Sequence, residues 1–312
     1  MTGAVTGPAT GPATGPVIGD VERLDPDQVR EVLALVERAA EADGMRPVSE
    51  HVWLHIRHGS EEDACHVLAR DDDGRLIGYA HLDIADPADG ASVELAVDPD
   101  HRRGGVGRAL LAQAIDCAPH GRLRLWAHGE DDASQALAQH FGFARLRTLW
   151  QMRRSLFAPL PRAVLPEGVR VAPFRVGVDE QAWLEVNARA FVDLPDQGGW
   201  QRTDLDVRLN EPWFSPDGFL LAWREDALVG FHWTKVHGGV HEPIGEVYVL
   251  GIDPSARGTG LGRALTLTGL HHLRSLDLAQ AMLYVDASNR AAIELYESVG
   301  FARWDTDVLY AR

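Results

Sequence analysis

Residues 97–110 read VDPDHRRGGVGRAL, and residues 252–265 read IDPSARGTGLGRAL. The two stretches share an Asp-Pro pair, an arginine, a glycine-rich turn and a closing Arg-Ala-Leu at a constant offset of 155 residues (252 − 97). A second match follows each stretch, because Gly-Phe recurs at Gly142 and at Gly300. Two agreements of this length predict a duplicated domain.

The length and charge of the chain limit its partners. Its 312 residues suit two domains, each large enough to bury its own core. A net charge of -16 repels phosphate backbones and anionic lipid, so we expect neither nucleic acid nor a membrane surface as a partner. The two cysteines, Cys65 and Cys117, do not form a disulfide framework, which favours a reducing, cytoplasmic setting. A monomer is expected.

The first residues read MTGAVTGPATGPATGPVI, a composition rich in Gly, Pro and Thr. This stretch has neither the basic nor the apolar region of a secretory signal, and it cannot build a core. We therefore expect residues 1–18 to be a disordered tail and ordered structure to begin near Asp25. Asp25 is the predicted N-cap of a helix with one apolar face, formed by Val29, Val32, Leu33 and Val36.

The rest of the pattern predicts the same order of elements in each half. In the first half, strands are expected at 64–70, 76–84, 92–97, 123–127 and 143–152, and helices at 109–115 and 134–140. In the second, strands are expected at 169–174, 219–223, 229–236, 246–252 and 282–285, and helices at 179–190, 265–276 and 291–298. Pro159, Pro161 and Pro166 break both kinds of element. They predict a first domain over 19–158, a linker over 159–167 and a second domain over 168–312.

Each half carries Arg-x-x-Gly-x-Gly between a strand and a helix. Backbone N–H groups of such a turn, at a helix N-terminus, form a site for an anion such as a pyrophosphate. A tight turn without a ligand is the alternative for a single copy, but the repetition with the same flanks favours a binding site. A dinucleotide-binding turn would need G-x-G-x-x-G, which neither half shows.

These residues resemble the GCN5-related N-acetyltransferase (GNAT) superfamily. The resemblance implies an α+β (mixed α/β) fold of two tandem GNAT domains, each a splayed, mostly antiparallel sheet flanked by helices. It also implies acetyl-CoA as cosubstrate. In the second half it assigns the acetyl-CoA contacts to Leu250, Gly251, Ile252, Arg257, Gly258, Thr259, Gly260, Leu261, Gly262, Arg263 and Asn289. In the first half it assigns them to Leu95, Ala96, Val97, Arg103, Gly104, Gly105, Val106, Gly107 and Arg108.

Acetyl transfer to an amine needs a base and an acid. Glu246 lies on the strand before the second turn, and a period of two places Glu246, Tyr248 and Leu250 on one face. Glu246 is the candidate base, with a solvated strand carboxylate as the alternative. In this superfamily a tyrosine at the position of Tyr296 usually protonates the leaving thiolate; the alternative is a core tyrosine.

The first half differs at both positions. The offset of 155 places Ala91 opposite Glu246, and the offset of 158 from the Gly-Phe pairs (300 − 142) places Ala138 opposite Tyr296. Asn289 corresponds to Asp131 in the same way. We therefore expect the first domain to be catalytically degenerate, although its turn is intact and could hold acetyl-CoA.

Three further strings, PDQGGW at 195–200, GFHWTKV at 230–236 and GEVYVLG at 245–251, resemble a narrower branch of the superfamily. That branch makes mycothiol in actinobacteria by acetylating the cysteinyl amine of cysteinyl-glucosaminyl-inositol. The resemblance implies that the acceptor is contacted by Glu50, Asp196, Lys235, Glu246 and Tyr284. Taken singly, Glu50 and Asp196 could also be solvated carboxylates, and Lys235 a strand residue that extends its charge to solvent.

Two other functions remain open at this point. The same fold could acetylate another amine, such as an aminoglycoside, a polyamine or a protein N-terminus. A non-catalytic acyl-CoA sensor would have lost both base and acid, whereas the second half keeps both. No metal is expected, because His237 and His241 lie in a glycine-rich loop without a third ligand.

Overall fold

The structure is a computed structural model that describes residues 15–59, 64–84, 90–118, 122–129, 131–238 and 243–312. The chain divides into two compact units. The first unit comprises residues 1–148 and 306–312, and the second comprises residues 149–305. Each unit combines one mixed sheet with helices on both faces, which is the predicted fold class.

The first unit follows the predicted order with additions at its start. Its elements are β1 (Val17–Val21), α1 (Pro26–Asp43), α2 (Glu50–His58), β2 (Ala64–Arg70), β3 (Leu76–Asp83), β4 (Ala91–Val97), α3 (Val106–Cys117), β5 (Leu123–Ala127) and α4 (Asp132–His140), with the start of β6 (Ala144–Ser155) and the end of β12 (Ala302–Ala311). Its strands run in the order β1-β2-β3-β4-β5-β12. Among the pairings of its described strands, β4 with β5 is parallel and β1–β2, β2–β3, β3–β4 and β5–β12 are antiparallel.

Two apolar clusters cover the two faces of this sheet. On one face α3 packs through Leu110 and Leu111 against Val67, Leu82 and Val93. On the other face α1 and α2 pack against β2–β4 in a cluster that includes Val32, Leu35, Val36, Val52, Ile56 and Tyr79. Full burial of each such side chain contributes about 1.5–3 kcal/mol. These contacts hold β4 between two helical layers.

The second unit repeats this plan. Its elements are the end of β6, β7 (Val169–Pro173), α5 (Glu180–Ala190), α6 (Pro195–Gly198), α7 (Arg202–Leu209), β8 (Phe219–Arg224), β9 (Ala227–His237), β10 (Ile244–Ile252), α8 (Leu261–Ser275), β11 (Gln280–Asp286), α9 (Arg290–Ser298) and the start of β12. Its strands run in the order β6-β11-β10-β9-β8-β7, with β10 and β11 parallel.

Aromatic residues fill one side of the second sheet. Trp183, Phe219, Phe231 and Trp233 are fully buried there, and the Phe219 and Trp233 rings stack 4.1 Å apart. The other side packs against α8 and α9 through aliphatic residues such as Leu267, Leu270 and Leu283. The two faces of β10 therefore meet different surroundings, one aromatic and one aliphatic.

The predicted helices and strands are present with boundaries shifted by a few residues. The N-cap at Asp25 is confirmed, because its side chain accepts hydrogen bonds from the N–H groups of Asp27 and Gln28. The expectation that ordered structure begins near Asp25 is wrong, since Val17–Val21 pairs with β2. Residues 1–14 of the predicted tail lie outside the described residues. The sequence pattern also missed α2, α6 and α7, which are short.

The compact units do not divide at the prolines. Segment 149–155 of β6 pairs with β11 inside the second unit, and residues 308–311 of β12 pair with β5 inside the first. The boundary predicted at 159–167 stays a prediction about where the duplicated sequences meet. None of the helices in the described ranges has both the length and the apolar character needed to cross a membrane.

Candidate functional site

The glycine-rich turn of the second unit connects β10 to α8. Gly258 and Gly260 have φ values of +74° and +85°, a conformation that L-residues adopt at a cost. A Cβ built on either glycine meets nothing within 4 Å, so the turn presents bare backbone. Gly260 is the N-cap of α8 and makes no side-chain cap. The first-turn N–H groups of α8 lack intrahelical partners by helix geometry, an arrangement that suits an anion.

Side chains brace this turn from several sides. Asp253 accepts from the N–H of Ser255 at 2.9 Å and from Arg189 at 2.7 Å. Thr259 Oγ1 donates to the carbonyl of Ala256 at 2.8 Å. Arg257 donates to the carbonyl of Ala190 at 2.9 Å. Arg263 donates to the hydroxyl of Ser298.

The two parallel strands of the second unit separate beside the turn. β10 and β11 pair only at Gly245 with Ala281 and at Glu246 with Met282, although β10 continues to Ile252. The predicted splay is therefore confirmed. Leu250, Gly251 and Ile252 lie past the separation, where a substrate carbonyl can reach strand backbone.

A β-bulge between Val247 and Val249 changes the faces of β10. Val249 packs in the aromatic cluster together with Tyr248, whereas Leu250 packs among the aliphatic residues on the α8 side. The prediction that Leu250 shares a face with Glu246 is wrong, because the extra residue of the bulge reverses the alternation. Glu246 and Tyr248 do share the aromatic side.

Glu246 is buried, with 7% of its surface exposed, on the last paired position before the splay. Its Oε2 lies 2.7 Å from Nε2 of His237, the last residue of β9. Glu246 also stands opposite Lys235 in the β9–β10 ladder. The carboxylate is thus oriented by His237, next to the point where the strands separate.

Lys235 is buried beneath an aromatic surface. Its ammonium lies 4.5 Å from the ring centre of Trp213 and 5.1 Å from that of Tyr248. Arg208 stacks on Trp200 at 3.9 Å and donates to the Tyr248 hydroxyl at 2.8 Å. Cation–π contacts of this kind are strongest where water is excluded. The site therefore presents cations and ring faces beside the Glu246 carboxylate.

Tyr296 lies on α9 and is buried with Phe301 in the aliphatic cluster. Burial raises the pKa of its hydroxyl to about 12. The phenol therefore holds its proton at any physiological pH. The protonated phenol is the form that can act as a hydrogen-bond or proton donor.

Tyr284, on β11, is half-exposed and accepts a hydrogen bond from the Gln151 side chain at 2.9 Å. Arg153 donates in turn to the Gln151 side chain at 2.8 Å. Gln151 and Arg153 lie on β6 and were not singled out in the sequence, because they precede the proline-rich segment. They orient Tyr284 within the second unit.

The remaining predicted residues take simpler positions. Asn289 is the N-cap of α9, and its side chain accepts from the N–H of Ala292 at 3.1 Å. Asp196 lies in α6, and its side chain is outside the described part of the structure. Glu50 is the first residue of α2 in the first unit, after the N-cap Ser49. His237 lies against Glu246, while His241, which the sequence analysis did not expect to bind a metal with it, falls outside the described residues.

The first unit keeps the turn in a modified form. Gly105, the N-cap of α3, has φ +88°, and a Cβ there would meet nothing within 4 Å. Arg103 takes the place of Gly258 and adopts a left-handed φ of 66°. Arg102 pairs through both terminal nitrogens with Asp43, each at 2.7 Å. The Leu95–Val97 segment ends β4 before this turn, as Leu250–Ile252 ends β10.

The register gives the first unit's counterpart of Glu246. In the β3–β4 ladder Asp83 pairs with Ser92, and at the same position of the β9–β10 ladder Lys235 pairs with Glu246. The ladder between β3 and β4 has no bulge. Ser92, not Ala91, is therefore the counterpart, because the bulge adds one residue to β10. For Tyr296 the counterpart Ala138 is confirmed. In each unit the backbone carbonyl of this residue accepts a 3.0 Å hydrogen bond from the backbone N–H of the phenylalanine in the Gly-Phe pair.

Comparison with known proteins identifies the family of the chain. A family model described as acetyltransferase (GNAT) family matches residues 29–143 and again 181–301. A mycothiol acetyltransferase of Acidothermus cellulolyticus is 54% identical over 304 residues, covering 93% of this chain and 93% of the relative. One of Thermobispora bispora is 55% identical over 293 residues, covering 93% and 98%.

Solved structures share the fold of the whole chain. A tandem GNAT protein from the clavulanic acid biosynthesis pathway superposes with a TM-score of 0.75 at 20% identity, covering 95% of this chain and 98% of its own. A GCN5-related N-acetyltransferase from Sphaerobacter thermophilus gives 0.67 at 24% identity, covering 95% of each chain. At this identity the likeness concerns the fold alone.

Proposed function

Because this chain belongs to the acetyltransferase (GNAT) family, with mycothiol acetyltransferases as relatives over 93% of its length, we propose that it makes mycothiol. The reaction is transfer of the acetyl group of acetyl-CoA to the cysteinyl amine of cysteinyl-glucosaminyl-inositol. The observation that carries this proposal is the buried Glu246 beside His237, placed where β10 and β11 separate.

The second unit is proposed to perform the chemistry. Acetyl-CoA places its pyrophosphate on the backbone of the 257–262 turn, at the N-terminus of α8. Backbone of Leu250–Ile252 meets the acetyl carbonyl where its charge develops. The predicted contacts of Arg257, Thr259, Leu261, Arg263 and Asn289 with the cofactor belong to the same proposal.

Protons move in two steps. Glu246 removes a proton from the acceptor ammonium, directly or through water, so that the amine lone pair can attack the acetyl carbon. A tetrahedral intermediate forms whose nitrogen still carries one proton more than the amide product. Its collapse breaks the carbon–sulfur bond, the nitrogen releases that proton to solvent, and solvent restores the proton that Tyr296 gives to the thiolate. Tyr296, which burial keeps protonated, is proposed to give its proton to the departing thiolate.

The acceptor is proposed to lie on the aromatic side of β10. Lys235 and the faces of Trp213 and Tyr248 suit the oxygens and ring edges of a sugar–inositol. Asp196, Tyr284 and Glu50 complete the acceptor contacts that the family resemblance implies. Their roles stay predictions.

The first unit is proposed to be catalytically silent. Its counterparts of the base and the acid are Ser92 and Ala138, and neither can exchange a proton as a carboxylate and a phenol do. Its turn keeps Gly105 and Gly107 and remains suited to an acyl-CoA. We further propose a cytoplasmic monomer that uses no metal in the transfer and binds neither nucleic acid nor membrane. Acetyl-CoA, an intracellular metabolite, is consistent with this setting.

A mass-spectrometric acceptor assay tests the proposal. Purified protein receives acetyl-CoA with cysteinyl-glucosaminyl-inositol and, in parallel, with an aminoglycoside or a polyamine. We expect one acetyl group on the cysteinyl amine and none on the other acceptors. Fragmentation distinguishes acetylation of the amine from acetylation of the thiol. Product on another amine alone would keep the acetyltransferase and overturn the acceptor.

A further inference from the structure

Three histidines of the first unit converge between α2 and the sheet. His66 on β2 and His81 on β3 are buried, with 3% and 0% of their surface exposed, and His55 on α2 is half-buried. Their ring centres are 4.7 to 5.6 Å apart. One ring nitrogen from each lies within 4.8 Å of the others.

A tyrosine orients two of the three rings. The Tyr79 hydroxyl lies 2.7 Å from Nδ1 of His66 and 3.5 Å from Nδ1 of His81. Both rings therefore turn Nδ1 toward the hydroxyl, which leaves Nε2 as the atom that faces elsewhere. Nε2 of His81 is buried and has no hydrogen-bond partner among the described residues. Metal-binding histidines show this division, with one nitrogen oriented by a hydrogen bond and the other bound to the ion.

The cluster is costly without a ligand. A buried polar atom without a partner costs about 1–3 kcal/mol. Asp83, beside the cluster and 3.2 Å from His51, adds a negative field that favours a cation.

We propose that His55, His66 and His81 bind one divalent transition metal ion of the zinc class. Three imidazoles suit zinc, which is four-coordinate in structural sites. Nitrogens bound to one Zn²⁺ are about 3.4 Å apart, so these side chains close by roughly 1 Å, and the half-exposed His55 can rotate to do so.

A second potential ligand group was less suitable. Asp20, Cys65 and Cys117 also converge in the first unit. Burial and a hydrogen bond with Cys117 raise the pKa of the Cys65 thiol to about 12, which opposes the thiolate form that binds metals. The histidine cluster needs no such proton loss.

The ion would tie α2 to β2 and β3 inside the first unit. In the second unit the register position of His81 is taken by Trp233, so the site has no counterpart there. Because the three ligands lie in the first unit, the metal takes no part in the transfer proposed at Glu246. The first unit would then contribute a metal-stabilised helix that begins at Glu50.

Metal titration of the full chain tests this site. Protein stripped with a chelator and dialysed is titrated with Zn²⁺ against a chromophoric competitor, and with Co²⁺ to record visible absorption. We expect one Zn²⁺ per chain, a tetrahedral Co²⁺ spectrum and a higher thermal midpoint with Zn²⁺. His55→Gln and His81→Gln should weaken binding by more than the ~10–100-fold typical of lost outer contacts, and Tyr79→Phe by about that amount.

His58→Gln is the matched control, because His58 is exposed on the same helix and outside the cluster. It should bind Zn²⁺ as wild type does. If His81→Gln fails to fold, His55→Gln at the half-exposed position still shows whether the cluster binds Zn²⁺. Wild-type protein that takes up no Zn²⁺, or Zn²⁺ binding that His55→Gln and Tyr79→Phe leave unchanged, overturns the proposal.

Discussion

Nε2 of His237 lies 2.7 Å from Oε2 of Glu246, across the ladder between β9 and β10. This pairing gives the proposed base a fixed orientation on a strand that is about to separate from its neighbour. The histidine is a positioning residue, since it acts on the substrate through the carboxylate. Its loss should leave the base in place but remove the contact that fixes the orientation of its carboxylate.

Replacing His237 by alanine should lower kcat by roughly 10-fold, a fraction of what the whole base contributes. His237→Gln, which keeps a side-chain N–H group, should recover part of the rate. In a Glu246→Gln background His237→Ala should cost nothing further, and an additive loss would contradict action through Glu246.

Replacing Tyr296 by phenylalanine should lower kcat by about 100-fold or more while sparing the affinity for acetyl-CoA. The fold should hold, because phenylalanine keeps the packing against Phe301. Since the pKa of Tyr296 is about 12, ionisation of this hydroxyl should not reduce the wild-type rate up to pH 10. Steady-state kinetics over this range provide the check. A variant with wild-type turnover would remove Tyr296 from the mechanism.

Gly105 and Gly260 form a matched pair for the two turns. Their φ values are +88° and +85°, and a Cβ on either meets nothing within 4 Å. Alanine should therefore cost both units about 1–2 kcal/mol of backbone strain. Gly260→Ala should raise KM for acetyl-CoA about 10-fold or more, because a methyl group then projects from the phosphate-binding backbone. Gly105→Ala should lower the melting temperature comparably and leave turnover near wild type.

Equal loss of turnover in the two glycine variants would contradict this division of roles. Melting curves for both proteins separate strain from function, since the two substitutions strain the backbone alike. Calorimetric titration with acetyl-CoA then shows which turn has lost its ligand.

His128 is held between two buried carboxylates of the first unit. Its Nδ1 lies 3.0 Å from Asp307 and its Nε2 lies 3.4 Å from Glu94. Burial alone would lower the pKa of His128, but the hydrogen bonds to Asp307 and Glu94 outweigh it and raise the pKa to about 10. The unfolded imidazole has a pKa of about 6.5. The resulting stabilisation is full below that pH and is lost as pH rises through 10.

His128→Gln leaves two buried carboxylates without their cation, which should cost roughly 3–5 kcal/mol. Urea denaturation at pH 6 and at pH 9 measures the free energy of unfolding of both proteins. The gap between wild type and variant should be largest at pH 6 and smaller at pH 9. A gap that grows with pH would mean that His128 is neutral in the folded protein.

The sequence predicted the duplication, the turns and the identity of the candidate base and acid. It did so because the first glycine of Arg-x-x-Gly-x-Gly, Gly105 or Gly260, takes a left-handed φ as the helix N-cap in both halves. The sequence did not predict the bulge at Tyr248. The offset of 155 residues was measured at the turn, and it does not reveal an extra residue earlier in the strand. That single residue moved the counterpart of Glu246 from Ala91 to Ser92 and reversed the face of Leu250.

Long-range pairing explains the other differences. Val17–Val21 is too short and too polar to predict alone, and it becomes a strand through its pairing with β2. β5 pairs with a strand that is distant in the chain, and β11 pairs with a strand that lies before the prolines. A local sequence pattern therefore predicts neither partner. His55, His66 and His81 likewise have no shared spacing, so only the fold brings them together.

The central claim is that the second unit alone catalyses transfer through Glu246. Its most direct test measures kcat/KM for cysteinyl-glucosaminyl-inositol in Glu246→Gln, with acetyl-CoA binding measured by calorimetry on the same protein. Ser92→Ala, at the same register position of the first unit, is the control. We predict a loss of about 100-fold or more for Glu246→Gln with acetyl-CoA binding retained, and no loss for Ser92→Ala. The account would be contradicted if kcat/KM of Glu246→Gln stayed within a few-fold of wild type, or if Ser92→Ala lost as much kcat/KM as Glu246→Gln.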